Sequence, residues 1–249
     1  MSEAVLGRLR VVLVETSHPG NIGAVARAMW AMGLGHLHLV RPGRFPAAEA
    51  TARAAGADEV LYRARVHASL DDALADCVWV VGTSARERRL EWPRITPRAW
   101  AGQAIEESAR GEVALVFGRE QWGLSNEELD RCHAVACIDS NPAFRSLNVA
   151  AAVQIFAYEL RCATAAHAPR ADGADVPDDP ASAGELEGLY AHLEQALVDI
   201  DYLDPQAPKL LMRRLRRLYG RARLERAELN ILRGVLAAAQ RAAKGGAKR

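Results

Sequence analysis

The sequence predicts an α/β fold built on a mostly parallel sheet, and three observations carry that prediction. Short runs rich in Val, Ile and Leu recur with little polar alternation, as strands covered on both faces require. Stretches of helical periodicity separate these runs, so β and α alternate along the chain. Glycine and proline turns mark several passages from a run into the next helix.

Taken in order, Arg10–Glu15 is the first expected strand, and it leads through Pro19 and Gly20 into a helix near Ile22–Met32 that Asn21 is placed to cap. Further strands are expected at His36–Val40, Glu59–Tyr62, Cys77–Gly82, Val113–Gly118 and Ala134–Asp139. Between them lie helices near Ala47–Ala55, Leu70–Ala75, Pro97–Ala109 and Glu127–Cys132. Ser125 followed by Glu128 forms a capping box for the last of these. A longer helix, Ser146 to about Ala163, places Val149, Val153, Phe156 and Leu160 on one face. Residues 164–184 are rich in Ala, Pro, Gly and Asp and bury too little to offset chain entropy, so they read as a linker. Helical periodicity returns over Glu185–Asp199 and Lys209–Ala243. The expected organisation is an α/β domain over 1–163, a flexible linker over 164–184 and a basic helical extension over 185–249.

The formal net charge of +1 hides an uneven distribution. Residues 163–208 carry net −9, and the segment from Lys209 onward carries net +11, which suits a polyanionic partner for the tail. The plain alternative is that the two segments neutralise each other within the fold. No apolar run approaches the ~20 residues needed to span a bilayer. The first residues also lack the basic-then-apolar layout of a secretion signal. Cys77, Cys132, Cys137 and Cys162 form no Cys-x-x-Cys pair and read as buried free thiols of a cytoplasmic protein. His18, His36, His38, His67 and His133 fall at no ligand spacing, so no metal is expected, and His36 and His38 read as structural.

Three segments carry chemistry. In Glu15–Met29 a strand end passes through Pro19 and Gly20 into a helix bearing Asn21 and, six residues on, Arg27. Such a turn presents free N–H groups to an anion, though it is also compatible with a tight turn and a surface arginine. In Val113–Leu129, Gly118 and Gly123 bracket a compact loop holding Arg119, Glu120 and Trp122. A carboxylate there sits where α/β sheets bind ligands, and a solvated loop acid is the alternative. In Cys137–Leu160, a turn of Asp139, Ser140, Asn141 and Pro142 precedes Ser146 and Asn148, which offer hydroxyl, amide and backbone groups at a helix start.

Together these segments resemble the three motifs of the SPOUT superfamily, in particular its RNA 2′-O-ribose methyltransferases. The wording is similar to that of TrmJ-type tRNA methyltransferases in Asn-Ile-Gly-Ala-Val-Ala-Arg-Ala-Met (Asn21–Met29), Gly-Arg-Glu-x-x-Gly-Leu-Ser-Asn-Glu-Glu-Leu (Gly118–Leu129) and Ser-Leu-Asn-Val-Ala-x-Ala-Val-Gln (Ser146–Gln154). Val80–Arg89 and Arg221–Gly234 share the likeness. The resemblance implies a parallel sheet closed by a deep C-terminal trefoil knot, a homodimer, and S-adenosylmethionine bound bent within the knot. It places the cofactor loops around Thr83 and Ser84, Gly118, and Ile138 to Leu147. It matches Asn21, Arg27, Glu120, Ser146 and Asn148 to catalytic or substrate-ordering positions. Arg86 and Arg88 follow a strand end, where arginines grip RNA phosphate.

The implied reaction is attack of a tRNA ribose 2′-oxygen on the sulfonium methyl group, at nucleotide 32 of the anticodon loop, a pyrimidine in most cases. The superfamily assigns Arg27 to activating the hydroxyl, but a guanidinium with a pKa above ~12 is a poor base at neutral pH. Stabilising the developing alkoxide and holding a neighbouring phosphate suits it better. Other readings remain open: the same chemistry at another tRNA or rRNA site, or a cofactor-free RNA-binding protein. An NAD-type oxidoreductase lacks support, because G-x-G-x-x-G is missing and Arg41, not an acid, follows the second strand.

Overall fold

The computed structural model describes residues 5–85, 94–166 and 179–246. Seven parallel strands form one sheet in the order β3-β2-β1-β6-β4-β7-β5. They are β1 (Leu9–Val14), β2 (His36–Val40), β3 (Arg65–His67), β4 (Cys77–Thr83), β5 (Arg94–Ile95), β6 (Glu112–Phe117) and β7 (Ala134–Ala136). The helices are α1 (Pro19–Ala31), α2 (Ala48–Ala54), α3 (Asp58–Tyr62), α4 (Leu70–Leu74), α5 (Pro97–Ser108), α6 (Asn126–Leu129), α7 (Val149–Ala166), α8 (Ala183–Asp199), α9 (Leu211–Ala222) and α10 (Arg226–Gly246).

The parallel α/β sheet is as expected, because β1, β4 and β6 are buried almost throughout and carry no alternation. Helices α1, α2, α5 and α7 cover one face, where Ile22, Met29, Trp100 and Phe156 pack on Val11, Leu13, Leu115 and Phe117. On α7, Val153, Phe156 and Leu160 are buried, as their spacing requires. Helices α4 and α6 cover the other face. Gly23 serves a helix rather than a ligand: a Cβ there would lie 2.0 Å from the Ala50 carbonyl oxygen of α2.

Several expectations are corrected. Glu59–Tyr62 lies in helix α3, because Asp58 and Glu59 favour its N-terminal turn and Glu59 pairs with Arg63 at helical spacing. Three apolar residues in a row, Val60 to Tyr62, do not distinguish strand from helix. The neighbouring strand is β3, a polar edge element with no apolar signal. Asn21 does not cap α1: His18 is the cap residue and Pro19 opens the helix, so the Asn21 side chain is released for other partners. Nor does α7 begin at Ser146; it starts at Val149, with Asn148 Oδ1 accepting from Ala150 N at 2.9 Å. Cys162 is exposed, whereas Cys77 and Cys132 are buried.

Two histidines show how burial decides charge. His38 stacks on His67 with ring centroids 5.0 Å apart, and His133 Nδ1 accepts from Val80 N at 3.0 Å. Desolvation pushes both His38 and His133 down to about 3 from 6.5. The unfolded chain takes up these protons near pH 6.5 and the folded chain near 3, so stability is full above 6.5 and falls as pH drops through that window. Urea unfolding should therefore show a lower midpoint at pH 5 than at pH 7.5; equal midpoints would contradict this account.

Residues 167–178 of the expected linker lie outside the described residues, and the helical extension follows. At the linker's near end, residues 164–166 continue α7; at its far end, Ala181 N donates to Leu224 O and Ser182 forms a capping box with Glu185. The basic stretch after Lys209 is two helices, divided at Arg223, whose φ of +56° ends α9. Leu186, Leu189, Tyr190, Leu224 and Leu229 give the extension its own small core. It docks on the sheet domain through Gly184 N to Ala75 O at 3.1 Å, Arg213 to Asp130, and Arg223 to Glu107.

Candidate active site

Four loops meet at the carboxyl ends of β1, β6, β4 and β7. This is where a parallel sheet exposes backbone groups and gathers ligand-binding residues. They enclose a cleft of about 690 Å³ lined by Asn21, Thr83, Ser84, Gly118, Glu120, Ile138, Ser146, Leu147 and Asn148, among others. Nine of the residues expected from sequence thus share one cavity. Arg27 does not line it: it is exposed on α1, about 120° around the helix from Asn21 at 100° per residue. Arg86 and Arg88 lie outside the described residues.

The polar centre is a chain of side chains from the first turn of α1 and the loops after β6 and β7. Asn148 Nδ2 donates to Asn21 Oδ1 at 3.1 Å, and Asn21 Nδ2 donates to Glu120 Oε1 at 3.0 Å. Glu120 also accepts from Ser17 N at 3.2 Å, Ser17 Oγ at 3.2 Å and His18 N at 3.5 Å. Burial alone would raise the Glu120 carboxyl, but hydrogen bonds from Asn21 and nearby backbone N–H groups outweigh it and hold the pKa below its ordinary value. Glu120 is therefore an ionised organiser and a poor proton acceptor.

Beneath it lies a charged clamp that sequence reasoning missed. Arg119 makes paired bonds to Glu128 at 3.0 Å each and donates from Nε to Glu15 at 2.7 Å. Arg41, the residue that stands where a Rossmann acid would be, donates to Glu15 at 3.0 Å through Nε. Glu128 is also the capping-box residue expected for α6, and its Oε2 accepts from Ser125 N at 2.7 Å. The signal available in sequence was Glu15, Arg41 and Arg119 just after strands and Glu128 in the first turn of a helix, a pattern that does not say which pairs form. Between the flanking arginines, hydrogen bonding holds the Glu15 carboxyl down at about 2.

The 118–123 loop closes on itself through Arg119 N to Gly123 O at 3.3 Å and Gly123 N to Arg119 O at 2.9 Å. Gly118 is required there: a Cβ would fall 2.1 Å from Gly123 C and 2.2 Å from Leu124 N. Gly123 adopts φ +69°. Phe117, Ala136, Ile138, Leu147 and Phe156 supply apolar wall. Thr83 Oγ1 donates to Val116 O at 3.0 Å, which braces the strand end and leaves the hydroxyl's lone pairs for a ligand. Trp122, 58% exposed, stands at the cleft edge. Among the described residues no group of three His, Cys, Asp or Glu is placed to hold a metal, and no helix is long and apolar enough to cross a membrane.

A parallel sheet with a deep cleft at its strand ends, walled by apolar residues and centred on an Asn–Asn–Glu chain, is matched over residues 8–158 by the model of the SpoU rRNA Methylase family. A second model, the C-terminal domain of tRNA methyltransferase TrmJ, matches residues 184–248. The chain belongs to the SpoU methylase family and, within it, to the TrmJ group of methyltransferases. It is 51% identical, over 97% of each chain, to the tRNA (cytidine/uridine/adenosine-2′-O-)-methyltransferase TrmJ of Pseudomonas aeruginosa. It is 49% identical to the tRNA (cytidine/uridine-2′-O-)-methyltransferase TrmJ of Salmonella typhimurium, over 97% of this chain and all of that one. The crystal structure of TrmJ from Z. mobilis superposes with a TM-score of 0.81 at 35% identity, covering 92% of this chain and 97% of that one.

Proposed function

We propose that this methyltransferase modifies the ribose 2′-oxygen of nucleotide 32 in the tRNA anticodon loop, using S-adenosylmethionine. The observation that carries the reading is the Asn148–Asn21–Glu120 chain set in an apolar cleft, in a chain with TrmJ relatives along nearly its whole length. The cleft fits the cofactor chemically. Its volume lies within the ~300–1,000 Å³ usual for small-molecule sites, and Ile138, Leu147 and Phe117 offer a dry wall. When bound, S-adenosylmethionine supplies an electrophilic methyl group on a sulfonium whose positive charge disappears on transfer, a change that an apolar surround favours.

Within that frame Asn21 and Asn148 orient the ribose, and Ser146 offers a hydroxyl at the same wall. Glu120, already saturated by donors, fixes Asn21 rather than taking the proton. Arg27, which stands outside the cleft of its own protomer, would hold a phosphate and steady charge on the 2′-oxygen of RNA bound in the cleft of its partner, and the proton leaves to water. We extend the reading to a homodimer that covers the exposed Trp30 of α1, one turn beyond Arg27, and Tyr158 of α7. It also includes a trefoil knot in the loops after β6 and β7, a cytoplasmic place of work, and RNA contacts from Arg86 and Arg88. The α/β domain over 1–163 would methylate, and the helical extension over 185–249 would bind tRNA.

The decisive test is methyl transfer to a tRNA carrying 2′-deoxyribose at position 32. Loss of methylation on that substrate alone supports the assignment, whereas undiminished methylation moves the target elsewhere. With the intact tRNA, an Arg27→Lys enzyme keeps the charge but loses the planar fork, and its single-turnover rate should fall at least about tenfold. A near-normal rate would remove the fork from the mechanism.

A further inference from the structure

The arginines of α9 divide by helix face into a docked set and a free set. Arg213 donates to Asp130 from Nε at 2.6 Å and from Nη2 at 3.1 Å, on an acid almost wholly buried. Arg216 is bidentate to Glu187, at 2.5 and 2.8 Å, and lies 4.5 Å over the Tyr190 ring. Arg223, at the end of the helix, pairs with Glu107 and faces the Trp79 ring at 5.9 Å. These three bind the extension to itself and to the sheet domain, so their charge is already neutralised.

Arg214, Arg217 and Arg221 stand apart. At 100° per residue they fall within about 60° of arc on the side away from Tyr219 and Arg216, and they span about 10 Å of helix. Arg214 and Arg221 are exposed. None of the three has a hydrogen-bonding or charged partner among the described residues, and Nε of Arg217 is buried without one. An unpaired guanidinium row on one helix face makes a local positive field that attracts a polyanion.

We propose that Arg214, Arg217 and Arg221 form the contact that tracks the phosphodiester backbone of the RNA substrate, while Arg213, Arg216 and Arg223 serve docking alone. Arg213 is held by Asp130 just after α6 and Arg223 by Glu107 at the end of α5, so the free row is fixed in place on the sheet domain as a ready-made track for a polyanion. This inference rests on tRNA being the substrate.

The test uses the full chain and an unmodified tRNA transcript, with affinity measured across a salt series. Replacing all three free arginines by Gln should weaken binding about ten- to a hundredfold and lower the salt slope by about three, one per lost phosphate contact. Restoring charge with Lys at the three positions should recover most of the slope. Arg213→Gln should instead lower the unfolding midpoint and leave the slope intact. A wild-type slope in the triple Gln variant would overturn the assignment, as would an equal slope loss in Arg213→Gln. If the unaltered protein does not methylate tRNA, the reading beneath it fails, independently of these slopes.

Discussion

Replacing Glu120 by Ala should lower methyl transfer about a hundredfold and leave S-adenosylmethionine affinity within a few-fold of the parent. The carboxylate is the common acceptor for Asn21 Nδ2, Ser17 N, Ser17 Oγ and His18 N. Of these donors Asn21 Nδ2 is the half-buried one, and leaving such a donor unpaired costs roughly 1–3 kcal/mol, whereas water reaches the exposed Ser17 and His18 groups. A lapse of about 2.7 kcal/mol in ordering the transition state is a hundredfold in rate. Asn21 would then turn toward new partners and release Asn148, so the ribose loses two of its guides at once. Glu120→Gln should fall between the two, because the Ser17 hydroxyl can rotate to accept from the new amide. Calorimetry for the cofactor and single-turnover methylation for the rate separate the effects. An Ala variant with parent-like turnover would show that Glu120 orders nothing the reaction needs.

Gly118→Ala should be the more damaging change, because it strikes backbone. The added methyl group would meet the Gly123 carbonyl carbon at 2.1 Å, its oxygen at 2.4 Å and Leu124 N at 2.2 Å. None of these atoms can move without opening the reciprocal Arg119–Gly123 bonds that close the loop. Overpacking of a tight site commonly costs about 1–3 kcal/mol, and here the strain falls on the loop that carries Glu120 and Trp122. We expect cofactor affinity to drop at least about a hundredfold, with a measurable loss in urea stability. Retained affinity would mean that the loop has room that the distances deny.

Much of this site was legible before any coordinates, for a physical reason. Turns after apolar runs mark the ends of buried strands, a parallel sheet gathers such ends on one side, and the family resemblance picked out the residues there. Asn21, Glu120 and Asn148 were therefore readable as neighbours, although they lie 99 and 127 residues apart in the two contacts they make. What could not be read was pairing. Glu15, Arg41, Arg119 and Glu128 form one clamp, yet nothing in their spacing distinguishes a clamp from solvated surface charge. Short elements failed for a related reason: β3 is polar and α3 is an apolar run, so composition pointed to the wrong partner in each case. Arg27 was readable as a motif residue but not as one standing outside the cleft.

The grip of Arg213 on Asp130 has a consequence for regulation by mass action. Helix α6 is a single turn, held in front by Glu128 against Arg119 and behind by Asp130 against Arg213. A turn that short has little stability of its own. Any coupling that α6 carries between its two ends is reciprocal by linkage. If the extension binds RNA as proposed, whatever factor the cofactor adds to that affinity RNA must add to the affinity of the loop for cofactor.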